Sequence, residues 1–127
     1  MAHIDHFHFY CADPELTLSF FEKYFGAVVE TRVKLPDWLI IRFKLGDYIV
    51  ALSPKRGDVV LGDPARGPRR GFDHFGIYVD GIDDLVARMQ SDGVEIAAAP
   101  YDAGPVRIAY VYAPDGIQLE LLQTRGA

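Results

Sequence analysis

Apolar and polar residues alternate over residues 3–10 of this chain. Phe7 and Phe9 fall on one side of an extended backbone, and His6 and His8 fall on the other. Because side chains two positions apart share one face of a strand, this alternation predicts a β-strand with an apolar side and a histidine side.

The next segment carries the signals of an α-helix. Asp13 can cap the first free N–H groups, Pro14 suits the first turn, and Gly26 is typical of a helix end. The apolar side of this helix is expected to comprise Leu16, Leu18, Phe20, Phe21 and Phe25. Strands are then predicted at residues 27–33, 38–44 and 48–52, with a tight turn at 45–47.

The same order of elements returns in the second half. We predict a strand at 72–79, a helix at 82–90 that is closed by Gly93, and strands at 94–97, 107–113 and 117–122, the last two joined by a turn at 114–116. The tripeptide Asp5-His6-Phe7 also recurs as Asp73-His74-Phe75. This repeat predicts a single α+β domain, 1–127, built from module one at about 1–52, a linker at about 53–71 and module two at about 72–127.

Composition narrows the class of protein. The chain has 127 residues, half of them hydrophobic, and a formal charge of −5, which argues against a nucleic-acid partner. No apolar run approaches the ~20 residues that cross a bilayer, and the first residues do not form a signal peptide. The single cysteine, Cys11, rules out an intrachain disulfide. We therefore expect a cytoplasmic protein without a membrane partner.

Basic residues gather in the Gly/Pro-rich linker. We interpret this group as a solvated loop rather than a binding surface; it comprises Lys55, Arg56, Arg66, Arg69 and Arg70.

Four stretches of the sequence resemble the vicinal oxygen chelate superfamily, which includes glyoxalase I, extradiol dioxygenases, methylmalonyl-CoA epimerase, fosfomycin-resistance enzymes and bleomycin-binding proteins. The stretches are IDHFHFY, LSFFEKYFG, FDHFGIYVDGIDDL and YAPDGIQLELLQ, so the resemblance covers nearly the whole chain. It implies two βαβββ modules that form a curled mixed sheet around a cleft for a metal ion and a substrate.

The resemblance also implies a set of metal ligands. His6 and His74 match the first-strand ligands of the two modules, and Glu120 matches the last-strand ligand of module two. The matching place in module one falls on Ala51, which cannot bind a metal, whereas glyoxalases and epimerases carry glutamate or glutamine there. Two imidazoles and one carboxylate leave about three coordination positions for a substrate with neighbouring oxygens. The implied cofactor is one divalent ion: iron, manganese, nickel, cobalt or zinc.

Four further residues are candidates for roles around that metal. Tyr110 matches a functional tyrosine of the ring-cleaving and fosfomycin families, and His8 shares the strand face of His6. We assign Tyr110 and His8 to catalysis. Tyr112, on the same strand face as Tyr110, and Arg107, which can pair with an anion, are assigned to substrate binding.

These matches imply a metal-dependent enzyme that acts on a small substrate chelated through vicinal oxygens, with glyoxalase-like lyase or isomerase chemistry. An extradiol-type ring-cleaving dioxygenase with a 2-His-1-Glu iron(II) site is one alternative. A non-catalytic ligand-binding protein of the bleomycin-resistance type is another. No histidine lies between His8 and His74, where ring-cleaving relatives carry a catalytic one, and residues 98–107 lack the serine and lysine of fosfomycin-resistance enzymes. The resemblance further implies a homodimer, in which His6 can join His74 and Glu120 of the second chain.

Overall fold

A computed structural model describes residues 1–64 and 67–126 of the chain. Ala65 and Arg66, which belong to the predicted linker, lie outside the described residues. The chain divides into two compact units, Met1–Asp63 and Pro64–Ala127, here called unit one and unit two.

Each unit has the predicted order βαβββ. Unit one contains β1 (His6–Tyr10), α1 (Pro14–Phe25), β2 (Val28–Leu35), β3 (Trp38–Leu45) and β4 (Tyr48–Ser53). Unit two contains β5 (Phe75–Tyr78), α2 (Ile82–Ser91), β6 (Ile96–Ala103), β7 (Val106–Ala113), a 3-10 turn (Pro114–Gly116) and β8 (Ile117–Thr124). The predicted α+β class with two βαβββ modules is confirmed.

Each unit contains one four-stranded mixed sheet, and the two sheets have the same topology. The order is β1-β4-β3-β2 in unit one and β5-β8-β7-β6 in unit two. The first strand of each unit pairs in parallel with the last, and the remaining pairs are antiparallel. The first and last strands of each unit therefore lie side by side, with the first strand at the edge of the sheet and the last strand inside it.

Local capping sets the ends of α1. The Asp13 carboxylate accepts a hydrogen bond from the Leu16 N–H at 3.2 Å, and Gly26 ends the helix in the left-handed conformation with φ of 67°. Helix α2 begins differently, because its N-cap, Gly81, has no side chain. The Gln123 side-chain oxygen on β8 instead accepts the Ile82 N–H at 2.7 Å. Strand β8 thus caps the helix of its own unit.

One face of each sheet packs against its helix and forms the core. In unit one, Phe21 and Phe43 are both fully buried, with their ring centroids 5.1 Å apart. The core of unit two combines buried residues of α2 with alternating buried positions of β7 and β8: Ile82, Val86 and Met89 on the helix, and Ala109, Val111, Leu119 and Leu121 on the strands. Leu16 was expected on the apolar side of α1, but its side chain is 59% exposed. The sheet face opposite the helix carries His8 and Arg42 in unit one and Tyr110 and Glu120 in unit two, and we call it the polar face of each unit.

The structure corrects two predicted strand boundaries. Strand β5 begins at Phe75 rather than at residue 72, and β6 continues to Ala103, well beyond the predicted end at residue 97. No helix among the described residues is long and apolar enough to cross a membrane.

Candidate functional site

Three predicted site residues meet on the polar face of unit two. The Tyr110 hydroxyl donates a hydrogen bond to Glu120 Oε2 at 3.1 Å, and His74 Nε2 lies 3.5 Å from Glu120 Oε1. The rings of His74 and Tyr110 are nearly perpendicular, with their centroids 5.2 Å apart. His74 immediately precedes β5, and Glu120 lies opposite both Gly76 of β5 and Tyr110 of β7. The central pairing of β8 therefore builds this cluster.

Glycine at position 76 leaves the space that Glu120 uses. A Cβ atom there would stand 2.8 Å from Leu122 Cδ1 and 3.5 Å from Glu120 Oε1. A larger side chain would thus clash with Leu122 and come into contact with Glu120.

The Asp73 carboxylate fixes the orientation of His74. Asp73 Oδ2 lies 2.7 Å from His74 Nδ1. Because an ionised carboxylate only accepts hydrogen bonds, Nδ1 is the donor, and in the neutral ring Nε2 keeps its lone pair toward Glu120. A second partner of this kind is typical of histidines that bind metals.

The environment of Tyr110 keeps its hydroxyl protonated. Burial raises the pKa of Tyr110 above its ordinary value, and the hydrogen bond to Glu120 and the charge of that carboxylate raise it further. The hydroxyl therefore remains a hydrogen-bond donor at neutral pH.

Unit one repeats the aspartate–histidine pair. Asp5 Oδ2 lies 2.7 Å from His6 Nδ1, the distance found between Asp73 and His74. Asp5 also accepts a hydrogen bond from Arg42 at 3.3 Å. The hydrogen bond with His6, followed by that with Arg42, holds the pKa of Asp5 below its ordinary value. The carboxylate stays ionised, so His6 Nε2 is the ring nitrogen left available.

His8 has a different partner, although it shares the strand face of His6. Its Nε2 lies 2.6 Å from the hydroxyl of Ser53, which is fully buried. Burial lowers the pKa of His8, and the nearby His6 and Arg42 lower it further. At neutral pH the ring is therefore uncharged.

The pairing register shows how the polar faces of the two units differ. Beside His74, the row Gly76–Glu120–Tyr110 crosses β5, β8 and β7. Beside His6, the corresponding row His8–Ala51–Arg42 crosses β1, β4 and β3. Ala51 thus has the register position of Glu120, as the sequence analysis indicated, and His8 stands where unit two has Gly76.

The remaining predicted residues are placed apart from one another. Tyr112 shares the half-buried face of Tyr110 and lies opposite Gln118. Arg107 has the opposite strand parity and lies toward α2, where it donates to both Asp83 oxygens, at 2.9 and 2.8 Å, and to Asp102 at 3.1 Å. These carboxylates raise the pKa of the guanidinium. The structure does not bring Arg107 together with Glu120 and Tyr110.

The donors of unit two suit a divalent ion. Nitrogen and oxygen ligands at about 2.0–2.2 Å from one metal lie roughly 3–3.5 Å from each other. His74 Nε2 and Glu120 Oε1, 3.5 Å apart, fit this spacing. Among residues 1–64 and 67–126, no three His, Cys, Asp or Glu side chains are close enough to hold a metal ion.

The sequence interpretation gave no role to several residues that the structure places beside the candidates. They are Asp5, Asp73, Arg42 and Ser53. The two aspartates were visible in the repeated tripeptide, whereas Arg42 and Ser53 become neighbours of the histidines only through strand pairing.

Comparison with known proteins places this architecture in a family. The model of the Glyoxalase/Bleomycin resistance protein/Dioxygenase superfamily matches residues 3–121. A glyoxalase family protein from Bacillus cereus superposes with a TM-score of 0.87 at 19% identity, covering 99% of this chain and 96% of that one.

Two solved structures of named activity have the same fold. The trypanothione-dependent glyoxalase I of Leishmania major matches with a TM-score of 0.76 at 21% identity, over 97% of this chain and 87% of its own. The fosfomycin resistance protein FosX of Mesorhizobium loti matches with a TM-score of 0.70 at 21% identity, over 100% and 94%. At these identities the likeness concerns the fold, and the family follows from the match over residues 3–121: the chain belongs to the Glyoxalase/Bleomycin resistance protein/Dioxygenase superfamily.

Proposed function

We propose that this protein is a metal-dependent enzyme that binds a small substrate through two neighbouring oxygens and catalyses a lyase or isomerase reaction by proton transfer. The observation that carries the proposal is the His74–Glu120–Tyr110 cluster, in which two metal-type donors and one hydroxyl donor converge on one polar face. Family membership supports the same assignment.

In this proposal His74 and Glu120 supply two ligands. His6, whether of the same chain or of a second copy, supplies the third, since Asp5 orients it as Asp73 orients His74. A divalent metal held by these residues would polarise a substrate carbonyl or lower the pKa of a substrate hydroxyl. We expect one such ion per chain.

His8 and Tyr110 are the proposed proton-transfer and hydrogen-bonding groups. Ala51 removes the carboxyl that could accept a proton in unit one, and His8 projects from the neighbouring strand in the same row. Its Nε2 is held by Ser53, so the imidazole has a fixed direction. Tyr110 would donate a hydrogen bond to a substrate oxygen, and Tyr112 would contact the substrate from the same strand face.

Ring-cleaving dioxygenase chemistry is the second candidate. Two histidines and one carboxylate with open positions are the ligand set of non-haem iron(II) oxygenases. Oxygen consumption by iron-loaded protein in the presence of a catechol would favour it over proton transfer.

Metal analysis tests the proposal directly. We expect about one iron, manganese, nickel, cobalt or zinc per chain in untagged protein purified without chelator. The ion should be lost in His74→Ala, Glu120→Ala and His6→Ala. His3→Ala is the matched control, because His3 is exposed and precedes β1.

Failure to take up any of these ions, added one at a time without oxygen, would contradict the proposal. Binding of a drug-like ligand without turnover, unchanged by chelators, would instead identify a binding protein of the bleomycin-resistance type.

A further inference from the structure

A layered stack of side chains lies at the far end of the histidine strand in unit one. The Trp38 ring is nearly parallel to the His8 imidazole, at an interplanar angle of 8° and a centroid distance of 5.9 Å. The Arg56 guanidinium lies over the Trp38 ring, 4.9 Å from its centroid. A cation at this distance from an indole is attracted by the ring's negative face.

The tryptophan of this stack is held in position. Its indole N–H donates a hydrogen bond of 3.1 Å to the Pro54 carbonyl, in the segment that leads from β4 to Arg56. The same segment follows Ser53, which holds His8. One short stretch of chain therefore orients both His8 and Trp38.

Arg56 differs from the other well-placed arginines in its partners. Arg32 pairs with Glu15, Arg42 with Asp5 and Glu30, and Arg107 and Arg125 with acidic side chains that include Asp102. Within residues 1–64 and 67–126, Arg56 makes no ion pair with a carboxylate, although the chain has 18 acidic residues. Its side chain is exposed, so its N–H groups can receive a ligand.

We propose that Arg56 and Trp38 form a binding subsite for a planar carboxylate carried by a small ligand. The carboxylate would accept hydrogen bonds from the guanidinium, which is planar and presents paired donors. The body of the ligand would lie beside the stack that Arg56, Trp38 and His8 form. Carboxylate binding stands on this stack alone, whereas its identification as the substrate's anionic group rests on the proposed function. That function then acts on an oxygenated carboxylic acid.

The chain carries its own probe for this test, because Trp38 is its only tryptophan. Benzoate and benzamide are a matched pair of the same shape, and only benzoate is charged at neutral pH. We would titrate each into the chelator-treated full chain and follow tryptophan fluorescence, excited at 295 nm, and binding heat in parallel. Metal-free protein makes the result independent of the proposed metal site.

Benzoate is expected to bind measurably more tightly than benzamide. Arg56→Gln should weaken benzoate binding by about tenfold or more, since a charge-assisted hydrogen bond is lost, and leave benzamide unchanged. Arg56→Lys should recover only part of the affinity, because an ammonium lacks the paired donors. Arg69→Gln is the matched control, since Arg69 donates to the Gly67 carbonyl and stands apart from Trp38 in the sequence.

Equal affinities for benzoate and benzamide, or unchanged benzoate affinity in Arg56→Gln, would overturn the subsite. Loss of metal binding in His74→Ala with the benzoate result intact would leave it standing. If the protein binds metal but does not prefer benzoate to benzamide, the carboxylate subsite is wrong and the proposed function is unaffected.

Discussion

The polar faces of the two units share an aspartate–histidine pair and differ in the row beside it. In both units an aspartate oxygen lies 2.7 Å from Nδ1 of the histidine that opens the sheet. In the adjacent row, unit two has a glycine beside a glutamate, and unit one has a histidine beside an alanine. The aspartate orients the histidine in both units, whereas the neighbouring row contains a carboxylate only in unit two.

The difference shows how a repeat can change its chemistry without changing its fold. Where the first strand pairs with the last in this row, the larger side chain projects from the last strand in unit two and from the first strand in unit one. Because paired positions on adjacent strands share one face, the larger side chain can be on either strand without entering the core. The functional group changes with it, from a carboxylate to an imidazole.

The largest effect is expected when the histidine that unit one has in this row is introduced at the corresponding position of unit two. Gly76→His should reduce the free energy of unfolding by about 1–3 kcal/mol through overpacking, and should abolish metal binding, because the new ring meets Leu122 and Glu120. Urea denaturation and metal analysis measure the two effects.

The double variant Gly76→His/Glu120→Ala is the matched control. It should recover only part of the lost stability, because the contact with Glu120 is removed while the closer contact with Leu122 remains, and metal binding should stay absent. Strictly additive stability changes would show that the two positions do not share space.

The next largest effect on metal binding is expected from removing the aspartate of the aspartate–histidine pair, which both units share. Asp73→Asn is expected to reduce metal affinity by about 10–100-fold, because His74 loses the partner that fixes its tautomer. Competition with a chelator gives the affinity, and nitrogen chemical shifts of His74 report the tautomer in metal-free protein.

Asp5→Asn should behave in the same way for His6. Asp58→Asn, at an exposed position of unit one, is the control. An unaltered His74 tautomer in Asp73→Asn would show that the carboxylate does not position the ring.

Tyr110→Phe tests the hydroxyl donor that bonds to Glu120. Arg42 has the corresponding position in unit one. Glu120 would lose one hydrogen bond, and we expect metal affinity to fall by roughly tenfold or less. Tyr48→Phe, an exposed tyrosine of unit one, should leave the affinity unchanged. A loss as large as that of Glu120→Ala would mean that Tyr110 is itself a ligand.

The smallest effect is expected on the other side of the sheet. The Arg107 guanidinium holds the pKa of Asp83 below its ordinary value of 3.8. A carboxyl whose folded-state pKa is lowered adds stability that is complete above the unfolded pKa and is lost as the pH falls through the folded one. Arg107→Gln should therefore lower the melting temperature slightly near neutral pH and by less at pH 2. An equal loss at both values would contradict this pairing.

The sequence predicted the elements whose signals are local. Helix α1 begins and ends where Asp13, Pro14 and Gly26 indicated, since capping involves only neighbouring residues. The extension of β6 was missed because Pro100 resembles a turn. It lies on an edge strand, where one side of the backbone needs no ladder partner, and the register shifts on both sides of Ala98.

The candidate site was predictable as a set of residues and not as a set of contacts. The repeat and the family resemblance singled out His74, Glu120 and Tyr110, which the structure brings together. The ion pairs of Arg107 and the bond between His8 and Ser53 depend on strand parity and on pairing across the unit. A single sequence does not display that register.

The pairing of first and last strands has a consequence for the order of folding. His74 and Glu120 meet only when β8 has inserted between β5 and β7, and Gln123 of that strand also caps α2. Closing the longest loop of the unit is the entropically costly step. During synthesis, His74 and Glu120 therefore come together only after the ribosome has made β8, and a partly synthesised unit two does not contain this pair of side chains in contact.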